Sequence, residues 1–451
     1  MRAATPSEGF PPAPSTAEGS GSPGPRAEPV RGGTDRFGNR FAAGLPYARG
    51  EILRSTEDDL RKLERAWATI GRSIRARGPE SIFNFSGLER SLPVVASDLP
   101  SCDDELAPAL HGDRLRALAL EHLGGSADRH DVALFNRLTA ATLATHLALV
   151  KPGDVVIGVS PSYSHPSVVR AADHVGAKFV DAPGADAFAE ALERAGRVAL
   201  VVLTRLPVTY DLLPLPALRK VVQLAHEHGA PVYVDDAGGA RVAPAIFGQP
   251  KMLDLGVDLG ATGLDKYGTA GPRLGLMAGR KDLVARIRAR GVEFGLEARP
   301  MLYPAAVRSL EGYAPARVRL LVETTKRVAA ALREILGSRL HETPVTAQLL
   351  AEDILELVME RAGLTEPPVV PYEASAALSM VLLRDYGILT VHFAGLPPGT
   401  SSLLLKFIPP EILARFGGPG ALAKAVDSSL SRLASLIVTP ESIRSLLLGD
   451  G

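Results

Sequence analysis

The feature that most constrains the fold of this chain is the regular alternation of two kinds of stretch over residues 105–280. Short apolar runs such as "DVALFN", "GDVVIGVS", "RVALVVLT" and "PVYVDDA" are typical of buried strands. Between them, stretches such as "ADAFAEALERAG" and "LPALRKVVQLAHEHGA" have apolar residues at helical spacing. Strands separated by helices of this length form βαβ units, which require a mostly parallel sheet covered by helices on both faces. The sequence therefore predicts an α/β fold.

The rest of the chain divides into three further regions around this one. Residues 1–50 are predicted to be a disordered tail, because their first two thirds are rich in Pro, Gly, Ser and Ala and bury too little apolar surface to offset the ordering entropy. Residues 51–100 are predicted to contain an N-terminal helix, over 51–77, and a connecting segment. The large α/β domain is expected over 101–335, and a small α+β domain over 336–451, with strands in "ALSMVLLR", "GILTVHF" and "SLLLKFI".

Composition excludes several kinds of partner and site. The chain has 50 Lys plus Arg and 50 Asp plus Glu, so its net charge is zero, which argues against a main role in gripping nucleic acid. The single cysteine, Cys102, rules out an internal disulfide, and the histidines lack zinc-binding spacing, so no metal site is expected. No apolar run is long enough to span a bilayer and no secretory signal opens the chain, so a cytoplasmic protein without membrane contact is expected.

Two charged residues follow strands at positions where a parallel sheet binds ligands. Asp235 ends the predicted strand in "PVYVDDA", and Lys266 follows a second strand in "ATGLDKYGTAGPRLG". Both would reach the crevice outside the carboxyl ends of the strands. Pyridoxal phosphate needs this pair, since a lysine amine forms the Schiff base with its aldehyde and a carboxylate keeps its ring nitrogen protonated. The alternative, a turn aspartate and a surface lysine, would leave charges unpaired between apolar strands, which is costly.

Long sequence blocks over residues 80–310 carry a family resemblance. In chain order they are "IFNFSGLERSLPV", "EHLGG", "ALFNRLTAATLATHLAL", "SYSHPSVVRAADHVGA", "VDDAGGAR", "DKYGTAGPRLGLMAGRKDLVARI" and "FGLEARP". Together they resemble the selenocysteine synthase superfamily of fold type I pyridoxal phosphate enzymes, above all its archaeal-type, selenocysteine-synthase-like branch. The resemblance implies a large, mostly parallel seven-stranded sheet between helices and a small C-terminal domain. It also implies pyridoxal 5'-phosphate as cofactor and a homodimer or larger even-numbered oligomer.

The resemblance also implies roles for single residues. Lys266 resembles the Schiff-base lysine, Asp235 the partner of the ring nitrogen, and His165 in "SHPS" a side chain stacked on the ring. The alternative for His165 is a histidine that only starts a helix. Contacts to the cofactor and its phosphate are expected from a helix start, where free N–H groups bind anions, and from the residues before the lysine. The residues concerned are Asn136, Arg137, Leu138, Thr139, Thr262 and Gly263.

A substrate carboxylate calls for arginine, whose guanidinium group pairs with it through two parallel hydrogen bonds. The candidates are Arg90, Arg241, Arg273 and Arg299. The alternative for each is an ordinary surface or structural arginine. The small-domain arginine usual in fold type I enzymes is not evident, and Lys406 in "SLLLKFIPP" stands at a comparable place.

Several functions remain open at this point. The first hypothesis is a lyase or transferase that acts on a small amino acid by elimination or replacement at the β-carbon, breaking a C–S, C–O or C–Se bond. Lys266 would remove the α-proton. An aldolase, a racemase or an aminotransferase would use the same residues. A tRNA-dependent selenocysteine synthase is opposed by the zero net charge, and a non-catalytic binding protein on the same fold is opposed by the presence of both Asp235 and Lys266.

Overall fold

A seven-stranded sheet forms the centre of the structure, a computed structural model that describes residues 33–393 and 396–449. The α-helices are α1 Thr56–Arg77, α2 Leu106–Leu123, α3 Leu138–Leu149, α4 Pro166–His174, α5 Gly184–Ala195, α6 Leu215–Glu227, α7 Gly239–Phe247, α8 Lys281–Glu293, α9 Tyr303–Glu311, α10 Pro315–Leu336, α11 Ala351–Ala362, α12 Pro371–Tyr386, α13 Pro410–Phe416, α14 Gly418–Ile437 and α15 Pro440–Leu448. The strands are β1 Phe83–Asn84, β2 His130–Phe135, β3 Val155–Ser160, β4 Lys178–Pro183, β5 Val198–Leu203, β6 Val232–Asp235, β7 Leu259–Gly263, β8 Gly275–Arg280, β9 His341–Glu342, β10 Thr346–Leu350, β11 Ile388–Leu389 and β12 Ser402–Lys406.

The central sheet has the strand order β2-β8-β7-β6-β5-β3-β4. Strands β3 to β7 are parallel to one another, whereas β8 is antiparallel to both β2 and β7. The link from β7 to β8 contains no helix, and a parallel pair needs a crossover of a dozen or more residues, so β8 returns in the opposite direction. The predicted α/β fold with a mostly parallel sheet is confirmed.

Each face of this sheet carries its own apolar core. Helices α2, α5 and α6 cover one face, and α3, α4 and α8 cover the other. Every residue of β5 is buried. Val201 and Leu203 belong to the first core, and Leu200 and Val202 to the second, as the alternation of side chains along a strand requires. A strand apolar on both faces is therefore buried on both faces.

The C-terminal part combines a three-stranded antiparallel sheet, β12-β10-β9, with helices α11, α12 and α14. The prediction of a strand in "ALSMVLLR" is wrong, because these residues lie inside α12. Residues 371–383 of that helix are all buried, so it has no exposed polar face over this stretch and shows no helical periodicity. The segment "GILTVHF" contributes only the two-residue strand β11 and one turn of 3₁₀ helix.

The N-terminal segment is packed on this C-terminal part. Disorder was expected through residue 50, yet residues 33–50 are built into the fold. Phe41 and Tyr47 are buried, and the ring of Tyr47 stacks on that of Tyr372 with centroids 4.4 Å apart. Three aromatic residues, Phe37, Phe41 and Tyr47, follow closely after the Pro- and Gly-rich stretch ends. Residues 1–32 of the predicted tail lie outside the described residues.

Helix α1 confirms the predicted amphipathic helix with a later start, at Thr56 rather than 51. Ser55 and Asp58 form a capping box that satisfies free N–H groups at its first turn. The helix packs against α12 and α15. None of the helices described is long and apolar enough to cross a membrane.

Candidate active site

A cavity of about 180 Å³ opens where β5, β6 and β7 end, between the central sheet and the C-terminal part. Thr204, Asp235 and Gly263, at or just after the ends of these strands, form its sheet side. Val391 and Lys406 close it from the C-terminal part. The cavity therefore lies where open α/β sheets bind their ligands.

Asp235 presents an unsatisfied carboxylate oxygen. The side chain is buried, and its Oδ1 has no hydrogen-bond partner in the described structure. Burial raises the pKa of Asp235 to about 6; Lys266 opposes the shift and Asp236 adds to it. Since a buried oxygen without a partner is costly, this carboxylate suits a cationic N–H donor bound in the cavity.

The neighbouring acid, Asp236, has a partner of its own. Arg205 donates from Nε to Oδ1 over 2.9 Å and from Nη2 to Oδ2 over 2.7 Å, and both side chains are fully buried. Arg205 also donates to the Pro250 carbonyl over 2.8 Å. One of the two adjacent acids is thus neutralised inside the protein, and Asp235 alone lines the cavity.

Lys266 lines the cavity in the turn that follows β7. Its carbonyl accepts a hydrogen bond from Thr269 Oγ1 over 2.8 Å, and its backbone forms an antiparallel bridge with Leu88. Burial lowers the pKa of Lys266, although Asp265 and Asp235 oppose the shift. A lysine with a lowered pKa is more readily neutral, which is the nucleophilic form. A Cβ at Gly263 would lie 3.2 Å from Lys266 Cε, so a larger residue there would crowd the side chain.

The start of α3 supplies part of the expected phosphate site. Arg137, its N-cap, lines the cavity together with Leu138 and Thr139, and the N–H groups of a first helical turn bind anions. Asn136 points elsewhere: it is exposed, and its Nδ2 donates to the Gly295 carbonyl over 3.2 Å. Asn136 does not line the cavity, and its contact to the cofactor remains a prediction.

Thr262 and Arg241 form a buried pair behind the cavity wall. Arg241 donates from Nη1 to Thr262 Oγ1 over 3.0 Å, and neither side chain lines the cavity. Arg241 is fully buried, which lowers its pKa to about 10. The structure therefore does not bring Thr262 or Arg241 to the cavity surface, and their contacts to the cofactor and to the substrate remain predictions.

Of the remaining arginine candidates, Arg90 and Arg273 line the cavity and Arg299 does not. Arg299 is exposed and pairs with Asp104 outside the cavity, so its contact to the substrate remains a prediction. Arg90 Nε lies 3.2 Å from Asp265 Oδ2. Burial lowers the pKa of Arg273 to about 10, and the charges of Arg137 and Arg90 add to the shift.

Arg170 is a further cation that lines the cavity, and it was not among the residues predicted from the sequence. It lies on α4 and lines the cavity with Ser167. The spacing of three residues between them puts both on one helix face and is the signal that could have found the arginine. Asp235 and Asp265 are the only carboxylates among the described lining residues, so the cavity favours anions.

His165 caps α4 and lines the cavity. Its Nδ1 accepts a hydrogen bond from the Ser167 backbone N–H over 3.1 Å and lies 2.7 Å from Ser167 Oγ. In the neutral ring the proton is therefore assigned to Nε2. The ring is held in one orientation at the edge of the cavity.

Several further lining residues were not predicted to contact the cofactor or the substrate, among them Thr204, Tyr210, Tyr267 and Asp265. Thr204 Oγ1 is buried without a hydrogen-bond partner in the described structure. These residues were not predicted because the spacing of apolar residues does not show which threonine or tyrosine of a loop reaches a cavity. Within residues 33–393 and 396–449, no group of three or more His, Cys, Asp or Glu side chains could hold a metal ion.

Comparison with known proteins gives several related sequences and several structures of similar fold. No family model matches the chain. It is 33% identical over 408 residues, which cover 88% of this chain and 100% of the relative, to the "UPF0425 pyridoxal phosphate-dependent protein" of Methanothermobacter thermautotrophicus. The structure of apo-BacF from Bacillus subtilis has a TM-score of 0.51 at 16% identity, covering 76% of this chain and 94% of that chain. The structure of SPT with a PLP internal aldimine has a TM-score of 0.50 at 17% identity, covering 81% and 84%. Likeness at such identities shows the fold alone.

Proposed function

Because the chain belongs to the UPF0425 family of pyridoxal phosphate-dependent proteins, we propose that it is an amino-acid lyase or transferase working at the β-carbon of a small amino acid. Membership of this family confirms the predicted cofactor, pyridoxal 5'-phosphate, and the predicted class, a pyridoxal phosphate-dependent enzyme. The observation that carries the proposal is the joint presence of Asp235 and Lys266 in one cavity at the carboxyl ends of the strands. The selenocysteine-synthase-like branch remains a prediction.

The unsatisfied polar atoms of the cavity fit this cofactor. Asp235 Oδ1 and Thr204 Oγ1 are both buried without partners, and each lines the cavity. A protonated ring nitrogen would satisfy the first, and a ring hydroxyl group would satisfy the second. The first turn of α3 and the side chains of Arg137 and Arg170 would hold the phosphate. Lys266 would bond to the aldehyde.

Each side chain that lines the cavity would then have a separate role in the reaction. When bound, the cofactor withdraws electrons from a bond at the α-carbon of the amino acid. Lys266, whose pKa is lowered by burial, takes up the α-proton in its neutral form. Asp235 keeps the proton on the ring nitrogen, and His165 covers one face of the ring. Arg90 and Arg273 are the candidates that hold the α-carboxylate.

The choice of elimination or replacement rests on the resemblance to selenocysteine synthase. Aldol cleavage, racemisation and transamination would use the same residues. The zero net charge argues for a free amino acid and against a tRNA-bound substrate. A purely binding role is the weakest candidate, since it gives no reason for a lysine with a lowered pKa in the cavity.

We also propose that the enzyme is a homodimer. Leu99, Leu110 and Phe294 are 61%, 65% and 57% exposed, which is high for large apolar side chains. The ion pair between Arg299 and Asp104 joins the segments that carry them. Next to Phe294, the Gly295 carbonyl accepts a hydrogen bond from Asn136, whose neighbour Arg137 lines the cavity. A second copy seated there would cover both the apolar surface and the open side of the cavity.

Replacement of Lys266 by alanine tests the assignment. The purified variant should lose both the visible absorption of bound cofactor and all turnover, because nothing else would bond to the aldehyde. Borohydride reduction should attach the cofactor to Lys266 in the wild type. Lys281→Ala, a change at an exposed lysine that starts α8, is the matched control and should keep the cofactor. A Lys266→Ala protein that stays yellow and is labelled by borohydride elsewhere would show that the lysine assignment is wrong.

The reaction is identified by adding a panel of small amino acids with different β-substituents. Elimination predicts release of ammonia together with the β-substituent. Transfer of the amino group to a keto acid, or inversion at the α-carbon without any release, would refute it.

A further inference from the structure

A second lysine enters the cavity from the C-terminal part. Lys406 ends β12, opposite Thr346 of β10, and only 5% of it is exposed. Its Nζ lies 2.9 Å from Tyr267 Oη and is also hydrogen-bonded to Tyr210 Oη. The two tyrosine hydroxyls are hydrogen-bonded to each other as well. Lys406, Tyr210 and Tyr267 thus form a closed ring of three polar groups, here termed the Lys406 cluster, and all three line the cavity.

The backbone around this cluster adopts an unfavourable conformation at three places. Among the described residues, those other than glycine with a positive φ are Tyr210 at 64°, Tyr267 at 45° and Phe407 at 46°. Phe407 follows Lys406, and its ring stacks on that of Tyr267 with centroids 3.9 Å apart. Side chains with a Cβ seldom occupy this region, and such residues persist where surrounding structure forces them, often at functional sites. All three occurrences in the described chain converge on one amine.

The charges around Lys406 favour its neutral form. No carboxylate in residues 33–393 or 396–449 forms an ion pair with it. The charged groups that act on it are Lys266 and Asp265, and the titratable groups in contact are Tyr210 and Tyr267. Burial lowers the pKa of Lys406 well below its usual value; Lys266 adds to the shift and Asp265 opposes it. A neutral amine has a lone pair, so it can accept a proton.

We propose that Lys406, held by Tyr210 and Tyr267, is a second base of the cavity that accepts a proton from the bound substrate, alongside Lys266. An X–H bond of the substrate breaks, its electron pair stays on X, and the proton bonds to Nζ. Neutral Lys406 accepts a hydrogen bond from one tyrosine O–H and donates a hydrogen bond to the other tyrosine hydroxyl. After protonation it donates to both, so the cluster holds the extra proton by turning O–H bonds alone. The proposal rests on the proposed function, since an amino acid is the proton donor.

A different role would make Lys406 the cation that anchors a substrate carboxylate. Substitution of Lys406 by arginine separates the two roles, because arginine can serve as an anchoring cation but not as a base. Lys406→Arg keeps the positive charge but supplies no neutral base, because arginine stays protonated. Lys406→Met keeps a long side chain and supplies neither a positive charge nor a base.

For a base, both variants should lower kcat by about 100-fold or more while KM changes little. The acidic limb of the pH profile of kcat should disappear in both. Recovery of activity by Lys406→Arg together with a high KM in Lys406→Met would identify an anchor instead. Unchanged kcat in Lys406→Met would show that the lysine has no part in the reaction. The visible absorption of each purified variant reports separately whether the cofactor is bound.

Competitive labelling of the wild-type holoenzyme tests the cluster without any substitution. Trace acetic anhydride is applied at a series of pH values, and acetylation of each lysine is measured by mass spectrometry. Lys406 should become reactive at a lower pH than exposed Lys178, which serves as internal reference. The proposal would be overturned if acetylation of Lys406 rose over the same pH range as that of Lys178, or if Lys406 were not labelled at any pH. Failure to bind cofactor would instead count against the proposed function, since the labelling profile does not depend on turnover.

Discussion

Two adjacent aspartates have opposite environments at the end of β6. Asp236 is paired with Arg205 inside the protein, whereas Asp235 faces the cavity with an unsatisfied oxygen. Breaking such a buried pair would leave an uncompensated charge, which costs about 3–5 kcal/mol. The pair therefore fixes the β6–α7 turn and leaves one carboxylate free to meet a ligand.

The pKa of Asp235 predicts how cofactor binding depends on pH. Without cofactor this carboxyl group should be protonated below its pKa of about 6 and ionised above it. Only the ionised form pairs with a protonated ring nitrogen, so affinity for pyridoxal 5'-phosphate should rise with pH by up to about tenfold per unit and level off above 6. Fluorescence titration of the cofactor-free protein from pH 5 to 8 measures this.

Asp235→Asn should bind more weakly at pH 8 and should lose this part of the pH dependence. The amide has the same shape, so the comparison isolates the charge. An equal rise of affinity with pH in the variant would assign the dependence to another group.

The sequence located Lys266 and Asp235 because both follow strands, and strand ends meet at one edge of a parallel sheet. It could not separate Asn136 from Arg137, since neighbouring residues at a helix start point in different directions according to local backbone angles. Arg170 and Tyr210 reach the cavity from segments far from Lys266 in the sequence. The spacing of Ser167 and Arg170 indicates a shared helix face, but where α4 and the loop of Tyr210 lie depends on packing, which no local pattern encodes.

At the scale of elements, the end of α12 makes a close contact that predicts a stability difference. Gly387 follows α12 at φ 72°, and Gly363 follows α11 at φ 67°. A Cβ at Gly387 would lie 2.0 Å from the Ser81 carbonyl oxygen, whereas at Gly363 nothing lies within 4 Å. Gly363→Ala should lower the free energy of unfolding by about 1–2 kcal/mol, the cost of the left-handed backbone alone.

Gly387→Ala should cost about 2 kcal/mol more, because the β1–β11 pair must also move apart. Urea denaturation of both variants measures the difference. Equal losses in the free energy of unfolding would mean that the segment around Ser81 moves aside without a free-energy cost.

The sequence predicted elements best where each strand lies between helices. Runs such as β5 are bounded by helical stretches, and their type follows from length and context. The apolar run in α12 was assigned to a strand because a helix buried on all sides has no polar face and so no period. The residues before it, 345–372, gave no clear pattern, although they form β10 and α11.

At the scale of the whole molecule, the proposed homodimer predicts a change of oligomeric state. The double variant Leu99→Glu, Leu110→Glu places charges on the exposed apolar surface and should convert the dimer to a monomer with little activity, since desolvating unpaired charges at an interface is costly. Multi-angle light scattering measures the mass. Val438→Glu, which alters an apolar residue 56% exposed in the C-terminal part, should leave the dimer intact. A wild-type monomer with full activity would refute the dimer.

The packing of α1 against α15 has a consequence for biosynthesis. Ala66 of α1 is fully buried, yet α1 packs on α12 and α15, which begin only at Pro371 and Pro440. At about 5–20 residues per second, the helix waits roughly 20–75 s for Ile443 and its neighbours. Throughout that interval the part of its apolar face that α15 covers is available to chaperones, and a nascent chain truncated before 440 covers the helix with α12 alone.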